Sequence, residues 1–277
     1  MPIPVRTIAV AALLALTPAV GRAVTVSPNA LFIDSRTRSG VLTLYNPGTT
    51  AEEIEITFSF GYPRSDLAGA ISVALADSAP TGEPSVLGFV RAFPRRLRLE
   101  PGQRQTVRIL MQPPVGLPEG EYWGRVLVHS RGGRPPVEQQ QGGIRMQIDL
   151  ETVIVGAVNY RNGAMHTGLT VDSARVALVA AGDSVRVVAD LQRRGNAAYL
   201  GHMSLELIAA DGRVLGTAEE DLAVYRSLRK VESIAVPPRT SLLGAKVRYR
   251  FTTDRPDIDP ESRLSAEPVT GVIALTR

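Results

Sequence analysis

Apolar and polar residues alternate with a period of two over most of the chain, and no long apolar stripe of period 3.6 replaces that alternation. A period of two puts successive side chains on opposite faces of an extended strand, so the chain reads as all-β with few helices. Leu97 and Leu99 alternate with Arg96, Arg98 and Glu100. Pro101-Gly102 then turns the chain, because proline presets one turn dihedral and glycine accepts a positive one. Val107, Ile109 and Met111 alternate with Thr106, Arg108 and Gln112 on the way back. Pro113-Pro114 ends that strand, Leu117-Pro118-Glu119-Gly120 turns again, and residues 122–128 supply a third. Upstream, Ile54, Ile56, Phe58 and Phe60 alternate with Glu53, Glu55, Thr57 and Ser59; Val73 and Leu75 mark a further short strand, and residues 77–84 read as a surface loop. Such spacing predicts an antiparallel β-sandwich.

The pattern breaks at residues 159–168, where Asn162-Gly163 and Gly168 interrupt it, and then resumes. Val185, Val187, Ala189 and Leu191 form one alternating run, and Arg194-Gly195-Asn196 turns. Met203, Leu205 and Leu207 form the next, and Asp211-Gly212 is a hairpin signal before Val214 and Leu215. Val247, Tyr249 and Phe251 alternate with basic residues, and residues 271–275 close the chain. The expected organisation is a first Ig-like β-sandwich over 24–158, a linker over 159–168 and a second Ig-like sandwich over 169–277.

The amino terminus adds an address. Arg6, the apolar run 8–16 and the small residues around Gly21-Arg22-Ala23 have the architecture of a secretory signal peptide over 1–23, and the run is short for a bilayer span. With no cysteine in the chain, disulfides, thiol chemistry and a lipobox are excluded. Stability must come from buried apolar area, which 277 residues supply most readily as two sandwiches. The net charge of +4 falls to +2 once Arg6 and Arg22 leave with the leader. That is no basic field, so neither nucleic acid nor membrane insertion after signal cleavage is expected.

Four ordered pieces carry a family resemblance: Val24-Thr25-Val26-Ser27-Pro28; residues 41–44 leading into Asn46-Pro47-Gly48; Leu99-Glu100-Pro101-Gly102 with Thr106-Val107-Arg108-Ile109; and Leu117-Pro118 ahead of Glu121 and an aromatic strand. Together they resemble the PapD-like periplasmic chaperones of pilus assembly, over roughly the first half of the exported chain. The resemblance implies that the last strand of the first sandwich offers alternating large apolar residues to an incomplete subunit. Ile144, Met146, Ile148 and Leu150 alternate with Arg145, Gln147, Asp149 and Glu151, after a Pro-, Gln- and Gly-rich stretch over 132–143. They are the candidate partner-binding residues: main-chain hydrogen bonds would supply affinity and alternate side chains register. The same alternation equally fits an inner-facing core strand.

The chain departs from the resembled pattern at one point. Those chaperones hold the subunit's terminal carboxylate with an arginine on the first strand and a lysine on the last. Here Ala30 falls near the first position and Val153 or Val155 near the second, leaving Arg36, Arg38 or Arg145 as substitutes. Glu121 falls near the family's acidic position for contacts between domains.

Catalytic chemistry finds no motif. His129, His166 and His202 are far apart in sequence, without metal-ligand spacing, and read as exposed and silent. The acidic run Asp254, Asp257, Asp259 and Glu261 lacks the glycine and spacing of a calcium loop and reads as a solvated hairpin tip, or as a contact for arginines across the joint. Arg96 and Arg98, with Arg91 and Arg95 nearby, read as an outward strand face, and Trp123 as a core anchor. The expectation is a non-enzymatic exported protein with no metal or cofactor. It would be an assembly chaperone whose partner is an exported subunit, pilin-like or another surface protein, with self-association open. The alternative is a structural or adhesive envelope component built of Ig-like modules.

Overall fold

Short turns rich in proline and glycine cut the chain into strands, with one 3₁₀ turn at Pro260–Ser262 as the helical piece among the described residues. The computed structural model describes residues 23–132, 137–141, 144–148, 151–179 and 183–275. The expected signal peptide therefore lies outside the described residues but for its last position. The first sandwich contains β1 (Thr25–Ser27), β2 (Ala30–Asp34), β3 (Ser39–Tyr45), β4 (Glu52–Ser59), β5 (Pro63–Ser65), β6 (Ile71–Val73), β7 (Val90–Phe93), β8 (Arg96–Leu99), β9 (Arg104–Met111), β10 (Gly120–Gly132), β11 (Val137–Gln141), β12 (Ile144–Ile148) and β13 (Glu151–Asn162). One sheet has the order β1-β3-β9-β7 and the facing sheet β2-β13-β10-β4-β8. The pairs β5-β6 and β11-β12 form separate two-stranded ribbons.

The sandwich is not purely antiparallel, contrary to the sequence expectation. β2 runs parallel to β13, with Ala30 opposite Ala157 and Asp34 opposite Arg161. Period two reveals faces but not neighbours, so this pairing left no trace in the pattern.

Two of the turns are tied together by Asn46, which is fully buried. Its side-chain amide donates to the carbonyls of Thr50 (2.8 Å) and Leu99 (3.0 Å), and its main-chain carbonyl accepts from the Gly102 amide (2.8 Å). Gly102 has φ +71°, the left-handed conformation the turn requires. Between the sheets lie Leu42, Leu44, Ile54, Ile56, Leu99, Val107 and Ile109, each at most 2 % exposed. Burying each such side chain stabilises the fold by about 1.5–3 kcal/mol, before conformational entropy is counted against it.

The second sandwich contains β14 (Thr167–Leu178), β15 (Ser184–Gly195), β16 (Tyr199–Ile208), β17 (Val214–Val224), β18 (Ser227–Ala235), β19 (Lys246–Thr252) and β20 (Val269–Ala274). Its sheets run β14-β15-β18 and β17-β16-β19-β20. The run from Val185 to Leu191 and that from Met203 to Leu207 face each other across its core. The gap in strand between the sandwiches is 163–166, because β13 continues through Asn162.

Trp123 is fully buried but does not anchor a sandwich core. It belongs to a separate cluster with Phe60, Tyr62, Ala198 and Tyr225, formed by both sandwiches. Its ring meets Tyr62 edge-on at 5.8 Å and Tyr225 at 5.2 Å, while Tyr62 stacks on Tyr225 at 5.7 Å. Odd-numbered residues of β10 face outward from the first core, and at this end the outward face is covered by the second sandwich. Around the aromatic cluster, the carboxylate of Glu83 accepts from Arg226, with a closest approach of 3.1 Å, and the guanidinium of Arg125 donates to the Gly61 carbonyl at 2.9 Å.

Candidate partner-binding edge

The open stretch of β13 is set by where β2 stops. From Asp34 back to Ala30, β2 pairs with β13, and the Asn29 carbonyl accepts one more bond, from Ala157 at 2.9 Å. The chain then leaves through Pro28, which has no N–H to give, and enters β1 in the opposite sheet, where Val26 pairs with Leu44. Gly156 sits at the crossing: a Cβ there would lie 3.2 Å from the Asn29 carbonyl oxygen and 3.1 Å from Val126. Residues 151–156 of β13 pair with β10 on one side, while their other side has no strand among the described residues.

Backbone direction along this stretch follows from Ala157. Its N–H points toward β2, so the N–H and C=O groups of Val155 and Val153 point the same way, into the open slot. Their side chains stand on the outward face, away from the first core, and are 46 % and 42 % exposed. Even-numbered neighbours behave oppositely: Val158 and Tyr160 are fully buried, and Ile154 packs against the core. Among the described residues, this edge of the first sandwich is therefore open and flanked by exposed valines.

Ile144, Met146 and Ile148 lie on β12, whose only pairing among the described residues is with β11, Val137 opposite Ile148 and Gln141 opposite Ile144. Leu150 lies outside the described residues. β12 is thus the returning arm of a hairpin that precedes β13, not a strand inserted between others.

The candidate carboxylate anchors divide as follows. Ala30, Val153 and Val155 all sit at or beside the slot, and none carries charge. Arg36 and Arg38 follow the far end of β2, beside Asp34, whose carboxylate accepts from the amides of Arg36 (2.9 Å) and Thr37 (2.7 Å). Because β2 runs parallel to β13, that end is opposite Arg161 and away from residues 151–156. Arg36 and Arg38 do not replace the absent cations.

Glu121 does reach the second sandwich. Its carboxylate accepts from Arg161 at 2.9 Å and from the Ala198 amide at 2.8 Å, and Arg161 also donates to the Ser262 carbonyl at 2.6 Å. Residues 254–261 are more than a hairpin tip, since Ile258 is buried, Asp259 caps the 3₁₀ turn and Arg255 pairs with Asp257 at 2.6 Å, while Asp254, Asp257, Asp259 and Glu261 are exposed as expected. Two of the three histidines are also engaged. His129 contacts Thr57 at 2.9 Å and Glu151 at 3.0 Å, and His202 contacts Asp221 at 2.9 Å; only His166 is exposed. Their carboxylate partners came from residues too distant in sequence to form a motif. Among the described residues no group of three or more His, Asp or Glu could hold a metal ion, and no helix is long and apolar enough to cross a membrane.

No family model matches the chain, and no curated protein matches it. Similar solved structures include the class 5 fimbriae chaperone CfaA, with 9 % identity over 92 % of this chain and 100 % of that one at a TM-score of 0.44. Another is the CupB2 chaperone of Pseudomonas aeruginosa, with 15 % identity over 91 % and 100 % at 0.41. A third is from the CsuC-CsuE chaperone-tip adhesion subunit pre-assembly complex of the archaic chaperone-usher Csu pili of Acinetobacter baumannii, with 10 % identity over 92 % and 100 % at 0.42. The two-sandwich fold stands on the strand order described above.

Proposed function

We propose that this chain is an exported, non-enzymatic, PapD-like assembly chaperone that works in the periplasm and holds a partner subunit by β-strand addition. The partner is an exported, pilin-like or other surface protein. The observation that carries this reading is the open edge of β13 at residues 151–156, with the N–H and C=O groups of Val153 and Val155 unpaired among the described residues. An added strand would satisfy those groups, and exposed edges of this kind are hazards unless they are covered. Ile144, Met146, Ile148 and Leu150 would extend the contact along the hairpin and set its register. With Ala30, Val153 and Val155 uncharged, the hold rests on backbone pairing and apolar side chains, without the two-cation carboxylate anchor of the resembled family.

The experiment is co-expression of the exported chain with a tagged candidate subunit that lacks its own final strand. The expected result is an equimolar complex, lost on Ile148→Asp while the thermal midpoint of the chaperone alone stays nearly unchanged. A large drop in that midpoint would instead make Ile148 a core residue. A chain that fractionates with the assembled envelope and binds no subunit would favour the structural alternative.

A further inference from the structure

Cations are distributed unevenly over the first sandwich. On the outward face of the five-stranded sheet several arginines have a carboxylate partner: Arg96 meets Glu55 at 2.8 Å, Arg131 meets Glu151 at 3.0 Å and Arg161 meets Glu121 at 2.9 Å. The outward face of the other sheet, β1-β3-β9-β7, is different. Arg104 and Arg108 project from β9 and Arg91 from β7, all exposed, and no carboxylate among the described residues lies within ion-pair distance of them. The strands that make this face contain no Asp or Glu.

Apolar and aromatic groups are interleaved with these charges. Val41, Arg108 and Phe93 lie in one row across β3, β9 and β7, and Phe93 is 73 % exposed on the edge strand. The Arg104 guanidinium lies over the Tyr45 ring, 4.7 Å from its centroid. Most of the remaining outward positions are threonine or serine. A surface whose strands carry no carboxylate, on a chain with nearly balanced charge, is electrostatically complementary to an acidic partner.

The spacing narrows the partner. Arg104 and Arg108 are four residues apart on one strand, about 13 Å, and Arg91 is diagonal to Arg108, roughly 7–8 Å away. An extended polypeptide presents alternate side chains on one face about 7 Å apart, so carboxylates at positions i, i+4 and i+6 span the same distances. We propose that the outward face of β1-β3-β9-β7 is a second docking surface for an extended acidic segment of a partner protein, with an apolar side chain seated on Phe93. This surface is on the opposite sheet from the open edge of β13, so both could be occupied at once.

The test uses the exported chain and a fluorescent peptide of about ten residues, Glu alternating with Thr and one Leu near its centre. Saturable binding is expected at low salt, weakening as salt screens the pairs. The triple variant Arg91→Ser/Arg104→Ser/Arg108→Ser should weaken it about tenfold or more, the scale of three exposed ion pairs acting together. Phe93→Ser, with its charges intact, should weaken it severalfold at unchanged salt dependence. All four side chains are exposed, so circular dichroism should show the variants folded. Binding unaffected by the triple variant, or no binding of the peptide alongside tight binding of heparin or phosphatidylglycerol vesicles, would overturn the proposal.

Discussion

Glu121 and Arg161 face each other as register partners on β10 and β13, and the pair is shared between the sandwiches: Glu121 also accepts the Ala198 amide, and Arg161 donates to the Ser262 carbonyl. The Glu121 side chain is fully buried. A buried carboxylate held by one guanidinium and one amide fixes the relative position of the elements supplying them, because removing it leaves Arg161 buried without its counter-charge. The second sandwich is thereby fastened beside the outward face of the first.

Glu121→Ala is expected to cost about 3 kcal/mol of stability, the scale of breaking a buried pair by deleting one member. Urea denaturation checks this, with Glu100→Ala, an exposed carboxylate, as the reference that should change little.

A second prediction concerns acid. Asp190 accepts from Arg229 and from Ser173, and these bonds hold its carboxyl near a pKa of about 2, below the usual 3.8. A lowered folded-state pKa means that the contribution is fully present above 3.8 and is lost as pH falls from there through about 2. Stability measured against pH should therefore fall across that window, and Asp190→Asn should flatten the fall. Arg229 also donates to the Leu67 carbonyl, and its amide donates to Ser65, so the β5–β6 hairpin should loosen in the same window.

Gly69 gives the third. It lies in the turn of that hairpin with φ +88°, and a Cβ there would fall 2.2 Å from a methyl of Val231. Both the conformation and the space exclude a side chain. Gly69→Ala should cost about 1–2 kcal/mol locally. Hydrogen exchange should speed up at the Arg229 amide, whose partner is Ser65, while the β9 and β10 amides stay protected.

The strands themselves were legible because their evidence is local. Leu97, Leu99, Val107, Ile109 and Met111 carry their alternation within a few residues, and Pro101-Gly102 marks its turn regardless of what surrounds it. The alternation of Ile144, Met146, Ile148 and Leu150 was equally visible, but the open edge is that of β13 at residues 151–156, and its being open was not. That depends on Pro28 taking the chain to the other sheet more than a hundred positions away, and on β2 pairing in parallel. The joint was hidden for the same reason. Trp123 finds Tyr62 and Tyr225 from both sandwiches, and nothing in its own neighbourhood distinguishes that setting from a core. His129 similarly acquires Thr57 and Glu151 only through the register of β4, β10 and β13.

Val155→Pro separates edge pairing from folding. The amide it removes faces the open slot, so the chain's own stability should fall by less than about 1 kcal/mol. A partner strand would lose a main-chain bond and meet the pyrrolidine ring, so complex formation with a subunit should drop sharply. Gel filtration of the co-expressed pair, with and without the substitution, reads both.

The most direct measurement is amide hydrogen exchange at Val153, Ile154, Val155 and Ala157, in the chain alone and in complex with a subunit. In the free chain, Val153 and Val155 should exchange rapidly while Ile154 and Ala157, bonded to β10 and to Asn29, stay protected; in the complex all four should be slow. Protection of Val153 and Val155 before any subunit is added, or continued rapid exchange once it is bound, would contradict strand addition along β13.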